Sequence, residues 1–173
     1  MALLIPDLFC DTVYDIPLSF FEEKGIKLLF MDIDNTLVTY DDPYPVEKNL
    51  LWFDSLKRKG IDVVFVSNNN EERVKKYASQ TGFQYFADSR KPFCKIHKQI
   101  MKNRGLKPFE CASVGDQIFT DVLAAHLAGC CGVLVPPIKD LTGAFTRFKR
   151  LLEKPFINAY KKYEAKEETS SEK

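Results

Sequence analysis

No apolar stretch in the sequence approaches the roughly 20 residues that a bilayer-spanning helix needs. The opening Met1-Ala2-Leu3-Leu4-Ile5-Pro6-Asp7 carries no basic residue before its short apolar run. Neither a transmembrane anchor nor a secretory leader is expected, and the reading is of a cytoplasmic protein. Cysteine pairs spaced C-x-x-C are missing; the five cysteines, Cys10, Cys94, Cys111, Cys130 and Cys131, are odd in number and are expected as free thiols. Neither G-x-x-x-x-G-K-[ST] nor G-x-G-x-x-G occurs, so those forms of nucleotide cradle are excluded. The two histidines, His97 and His126, have no clustered partners, which argues against a zinc site. Internal repeats are absent.

An excess of one charge is lacking too, since the net charge is +1, but the balance is uneven along the chain. Residues 1 to 50 hold ten acids against three bases, and residues 51 to 150 hold nine acids against seventeen bases. A uniformly basic nucleic-acid binder is not patterned this way, whereas an acidic cluster facing a basic surface is. An aromatic content of 13% excludes a disordered chain. One domain over residues 1–163 is expected, with a helical segment at 1–25 covering a sheet edge. A basic, aromatic segment at 144–163 either docks on the core or lies on an anionic surface, with Phe145, Phe148, Leu151 and Leu152 at helical spacing before Pro155 breaks the pattern. A disordered tail is expected at 164–173.

From residue 27 onward, short apolar runs alternate with helix-period segments. The runs at 27–31, 61–66, 83–87, 111–114 and 131–135 have the length and composition of strands buried on both faces. Helices are predicted at about 46–59, 71–81, 92–104 and 119–129, several of them closed by glycine. Such alternation predicts an α/β fold in three layers, Rossmann-like, with a parallel sheet of about five strands.

In such sheets ligands bind beyond the carboxyl ends of the strands. Asp32-Ile33-Asp34-Asn35-Thr36 follows the first run directly, placing two carboxylates where they can converge on one metal or substrate; a capped turn would also use these residue types. Later strand ends carry Ser67-Asn68-Asn69, Lys91 and Gly115-Asp116, with Asp121 one turn further on. Singly, Ser67 can be a helix cap and Lys91 a solvated cation. Together, carboxylates, a hydroxyl and a lysine at one sheet edge suit phosphoryl transfer with Mg²⁺, an ion that prefers oxygen ligands.

The strings DIDNTL, VSNN, RKP and GDQIFTD, in this order and each after a predicted strand, resemble the four motifs of the haloacid dehalogenase (HAD) superfamily, subfamily IIIA, and more narrowly its YqeG-like phosphatases, which share an FTRF-like segment near the end. The resemblance implies Asp32 as nucleophile and Asp34 as general acid/base. It implies Mg²⁺ held by Asp32, the Asp34 carbonyl and Asp116. Ser67 and the Asn68 backbone would bind the phosphoryl group with Thr36 in support, and Lys91 would stabilise an aspartyl-phosphate. Asp121 would orient Lys91 or a metal-bound water. Asn35 and Gln117 match the wording of the motifs without a chemical role.

The spans between motifs leave no room for a cap domain, so the site is expected to be open to bulky phosphorylated substrates. Arg90 to Phe109 contains seven Lys/Arg and no acid; Lys91, Lys95, Lys98 and Lys102 are predicted on one helical stripe and Phe93, Ile96 and Ile100 on an apolar one. This is either a solvated face or a surface for an anionic lipid. The resemblance adds phosphatidylglycerophosphate as a candidate substrate, since eukaryotic relatives act on that lipid, and membrane-peripheral binding as a consequence. A non-catalytic scaffold of the same fold and a nucleic-acid or sugar phosphate phosphatase remain as alternatives.

Overall fold

The computed structural model describes residues 3–139, 151–162 and 164. Six strands form one sheet: β1 (Leu8–Phe9), β2 (Leu28–Met31), β3 (Asp62–Val66), β4 (Gln84–Phe86), β5 (Cys111–Gly115) and β6 (Cys131–Leu134). Their order is β1-β6-β5-β2-β3-β4, and every pairing is parallel. The helices are α1 (Leu18–Glu23), α2 (Glu47–Arg58), α3 (Glu71–Ala78), α4 (Lys95–Arg104), α5 (Leu123–Ala128) and α6 over residues 151–162.

Strand alternation sorts the core. Leu29 and Met31 of β2 join Val63, Phe65, Ala112 and Val114 under Trp52, Phe53 and Leu56 of α2 and Val74 and Tyr77 of α3. Leu28 and Phe30 point the other way, with Val64, Val66 and Cys111, toward Ile100 and Met101 of α4 and Ala125 and Ala128 of α5. A strand buried on both faces needs apolar residues at consecutive positions, which is why LLFM and VVFV read as unbroken runs. Only one helix and a loop separate β2 from β3, and only one helix separates β3 from β4, so no cap interrupts the core.

The ends depart from expectation. The segment at 1–25 supplies a sixth strand besides helix: β1 pairs with β6, beyond the five strands anticipated. Helix α6 runs through Pro155, so tertiary packing outweighs the loss of one backbone donor there. It docks through Phe156 and Ile157 on Ile118, Val122 and Leu134, while Leu151 and Leu152 are exposed. Phe145, Phe148 and the FTRF string lie outside the described residues, as does the tail expected at 164–173 apart from Glu164, which is helical. On α4 the buried face is His97, Ile100 and Met101, whereas Phe93 precedes the helix and is 72% exposed. Lys91 also precedes it and is buried, leaving Lys95, Lys98 and Lys102 as the exposed part of the stripe. All five cysteines are free thiols. Among the described residues no helix is long and apolar enough to cross a membrane.

An ion pair fastens the N-terminal segment. His126 Nδ1 meets the Leu3 carbonyl at 2.9 Å, and Nε2 meets Asp7 Oδ2 at 3.0 Å. Both partners are acceptors, so the ring satisfies both only as imidazolium. Asp7 Oδ2 also accepts from Gly132 N at 2.7 Å. Burial alone would lower the His126 pKa, but Asp7 and the Leu3 carbonyl outweigh it and raise it from 6.5. The Asp7 pKa lies below 3.8 because its hydrogen bonds to His126 and Gly132 outweigh the opposing effect of burial. The His126 contribution is complete below pH 6.5 and is lost as pH rises through its higher folded value. That of Asp7 is present above pH 3.8 and is lost as pH falls through its lower folded value. Asp7→Asn is therefore expected to cost about 1–2 kcal/mol at pH 6 and clearly less at pH 9, read from urea midpoints at the two pH values. Equal penalties would show that the imidazolium contributes nothing.

Candidate active site

Central strands β2 and β5 pair with Met31 opposite Val114, so the residues that follow them leave the sheet side by side. Asp32 N still donates to the Val114 carbonyl at 3.0 Å. Beyond it the chain turns sharply: the amides of Thr36, Leu37 and Val38 all converge on the Ile33 carbonyl. Asn35 sits at the corner with φ of 64°, a conformation asparagine tolerates better than other residues with a side chain. This backbone role accounts for an asparagine to which no chemistry attaches.

Asp32, Asp34, Ser67, Asn68, Lys91 and Asp121 line one pocket of about 290 Å³. Tyr40, Asn69, Gln117 and Thr120, which sequence reasoning did not assign to the site, line it too. Lys91 Nζ lies 2.7 Å from Asp32 Oδ1 and 2.6 Å from Asp121 Oδ1. Thr36 Oγ1 donates to Asp32 Oδ2 at 3.1 Å. Buried Asp116 completes a carboxylate group: one oxygen each from Asp32, Asp116 and Asp121 lies within 4.8 Å of the others.

The electrostatics follow from burial, from two carboxylates sharing one ammonium, and from a third carboxylate close to both. Burial raises the Asp32 pKa against the pull of Lys91, and the charges of Asp121 and Asp116 add to the rise. Burial works the other way on Lys91, but Asp121 and Asp32 outweigh it and hold the ammonium well above the usual lysine range. Both partners shift upward for different reasons: burial disfavours the Asp32 carboxylate, while two neighbouring carboxylates favour the Lys91 ammonium. Hard oxygen donors with surplus negative charge fit a divalent cation. Behind the lysine, His97 is fully buried against the Phe30 ring, and burial together with the Lys91 charge pushes its pKa down to about 4. Tyr40, on the pocket wall, is pushed up to about 12 by burial and by the charges of Asp34 and Asp32.

Asp34 stands apart from the other carboxylates. Its Oδ1 receives Arg73 Nε at 2.9 Å and its Oδ2 receives Asn69 Nδ2 at 3.0 Å. Arg73 also donates from Nη2 to the Thr39 carbonyl at 3.1 Å, tying α3 to the loop after β2. The Asn70 cap on α3, whose Oδ1 accepts from Arg73 N, is the sequence signal that places Arg73 in the first turn and near the strand ends. Asn68 points elsewhere. Its Oδ1 accepts from Lys91 N at 2.6 Å and from Ser89 Oγ at 2.9 Å, while its Nδ2 donates to the Lys91 carbonyl at 3.1 Å. This side chain thereby fixes the loop carrying the lysine. Ser67 is buried, with Oγ accepting from Asn69 N at 3.0 Å.

Asp121 is held at both ends. Its Oδ1 faces Lys91, and its Oδ2 accepts from Gln117 N and Thr120 Oγ1, each at 3.1 Å. It packs so closely on Gly115 that a Cβ there would lie 2.2 Å from Asp121 Cγ. Of the two roles open to Asp121, orienting Lys91 is the one with a direct contact.

Comparison with known proteins matches residues 1–138 to the family described as mitochondrial PGP phosphatase. The chain is 36% identical over 158 residues to the probable phosphatase YqeG of Bacillus subtilis, covering 91% of this chain and 92% of that protein. It is 29% identical over 167 residues to the mitochondrial phosphatidylglycerophosphatase GEP4 of Saccharomyces cerevisiae, covering 87% and 88%. In fold it is similar to 3-deoxy-D-manno-octulosonate 8-phosphate phosphatase of Moraxella catarrhalis, solved with magnesium, phosphate and the sugar. That match has a TM-score of 0.50 at 15% identity and covers 87% of this chain and 99% of that one. The motif order, the carboxylate-lined pocket and these relatives agree: the chain belongs to the PGP phosphatase family, within the YqeG-like HAD phosphatases, and is a phosphoric monoester hydrolase.

Proposed function

We propose that the protein hydrolyses phosphomonoesters through a covalent phosphoryl group on Asp32. The observation that carries this reading is the placement of Asp32 beside Lys91 at 2.7 Å, with the separately held Asp34 in the same pocket. An Asp32 carboxylate oxygen forms the bond to phosphorus as the ester P–O bond breaks, and Asp34 gives the leaving oxygen its proton. Water then attacks phosphorus, Asp34 takes the water's proton, and the Asp32–phosphate bond breaks to release inorganic phosphate. Lys91 balances charge on the phosphoryl oxygens, and Ser67 with the Asn68 backbone binds them. Mg²⁺ would be held by Asp32, Asp116 and the Asp34 carbonyl, with Asp121 close by, and when bound it neutralises phosphoryl charge. Arg73 and Asn69 fix the Asp34 carboxylate at the pocket wall.

The substrate we favour is a phosphorylated lipid such as phosphatidylglycerophosphate, the substrate in the name of the yeast relative. The capless site and the exposed Tyr40, Tyr44, Phe93 and Ile138, all in loops beyond strand carboxyl ends, support a bulky amphipathic molecule presented at a membrane surface. Phosphate release with Mg²⁺ should be compared for phosphatidylglycerophosphate in mixed micelles, p-nitrophenyl phosphate, a sugar phosphate and a nucleotide. The lipid is expected to give the highest kcat/KM, by about 100-fold or more, because only it engages the apolar rim. Preference for the sugar phosphate or nucleotide would overturn the lipid reading. Absence of Mg²⁺-dependent release from every substrate would overturn the proposed chemistry.

A further inference from the structure

Glu153 belongs to α6, outside every motif, yet it reaches the catalytic loop. Its carboxylate is buried, and Oε1 accepts from Ile118 N at 2.8 Å. Ile118 opens a π-helical turn, Ile118–Val122, that carries Asp121. The first amides of any helical turn have no partner within it. Here two successive ones are taken by carboxylates: Gln117 N by Asp121 itself, and Ile118 N by Glu153 from 35 residues away. The Asp121 amide closes back on the Gln117 carbonyl at 2.9 Å. Apolar contacts seat the same junction, with the Phe119 and Phe156 rings edge to face at 6.1 Å and Phe156 and Ile157 packed on Ile118 and Val122.

We infer that Glu153 is a positioning residue for the phosphatase site: its hydrogen bond to Ile118 sets the turn that aims Asp121 at Lys91, so that docking of α6 completes the catalytic arrangement. The chain of contacts is unbroken, from Glu153 to Ile118 N, through the turn to Asp121, to Lys91 Nζ and then to Asp32. Gly115 leaves Asp121 no slack toward the sheet, so a turn released from Glu153 can relax only by moving Asp121 away from the strand end. Glutamine, which keeps a carbonyl oxygen at the same reach, should serve where alanine cannot.

The inference rests on the proposed roles of Lys91 and Asp121, and its test separates the two. Wild-type, Glu153→Gln and Glu153→Ala proteins are compared by amide hydrogen exchange over residues 115–123, by melting with and without Mg²⁺, and by p-nitrophenyl phosphate hydrolysis across a Mg²⁺ titration. Glu153→Ala is expected to speed exchange in that segment selectively. It should also lower kcat about 10- to 100-fold with little change in KM and raise the half-saturating Mg²⁺ concentration about tenfold. Glu153→Gln should restore most of each loss. Unchanged kcat and Mg²⁺ dependence in Glu153→Ala overturns the inference. A global rise in exchange with kcat falling only as folded protein is lost, unrescued by glutamine, overturns it too. If the alanine variant does not fold, fast exchange at Ile118 in the wild type, or Glu153→Gln behaving like an unrelated surface change in melting while losing the Mg²⁺ response, does the same. Absence of turnover in the wild type counts against the phosphatase chemistry alone, because exchange and Mg²⁺-dependent melting still report whether Glu153 holds the turn.

Discussion

Asp32→Asn is expected to reduce Mg²⁺-dependent phosphate release by about 1,000-fold or more, a loss of roughly 4 kcal/mol of transition-state stabilisation, because an amide does not form the bond to phosphorus. Stability should move in the opposite sense from activity. Asp32 shares Lys91 with Asp121 and stands within 4.8 Å of Asp116 and Asp121, so neutralising it relieves repulsion while the Lys91 to Asp121 pair remains. Without divalent metal the variant should therefore melt at or above the wild-type temperature. Acid-quenched reactions with labelled substrate should trap phosphate on the wild-type protein and none on the variant. Full activity in Asp32→Asn would sink the proposed mechanism, and trapped label in the variant would move the nucleophile elsewhere.

Lys91→Met is expected to have the largest effect on stability. It removes the ammonium that lies 2.7 Å from Asp32 and 2.6 Å from Asp121, leaving a group of carboxylates in which Asp116 and Asp121 are buried. Breaking a buried ion pair from one side costs about 3–5 kcal/mol. Denaturation in EDTA should show a loss of that size. Mg²⁺ should recover part of it by binding the folded state alone. Activity should fall by about 100- to 1,000-fold even at saturating Mg²⁺, since the charge on the phosphoryl oxygens loses one of its partners. Equal stability of wild type and variant in EDTA would show that the carboxylates do not depend on the lysine.

How far the sequence revealed this arrangement depends on how local each signal is. Asp32, Ser67, Lys91 and Asp116 were legible because each directly follows or lies close behind an apolar run, and in a parallel sheet those positions share one edge. Asn68, Asn69 and Asn70 were not separable: three identical residues in a row hold the lysine loop, hold Asp34 and cap α3 respectively, and only the path of the turn assigns them. Phe93 fell at helical spacing with Ile96 and Ile100. A turn with Phe93 N on the Arg90 carbonyl delays the helix to Lys95 and leaves the ring in solvent. Strand β1 is two residues long and exists only by pairing with β6, so no periodicity announces it. Arg73 and Glu153 act through partners 39 and 35 residues away, at distances where the sequence carries no pattern.

The open core has one more consequence. Lys91 is already within hydrogen-bond distance of both Asp32 and Asp121, and among the described residues no domain is inserted after β2 or β3 to close over them. Enzymes that gate catalysis with a lid use the energy of closing to reject poor substrates, and they often wait for it to reopen. With no such insertion among the described residues, neither that checkpoint nor that delay is expected. On the proposed chemistry, selectivity is expected at encounter, through what the substrate's body touches outside the pocket, and turnover is expected to follow the chemistry and the rate at which the remainder of the substrate leaves the rim.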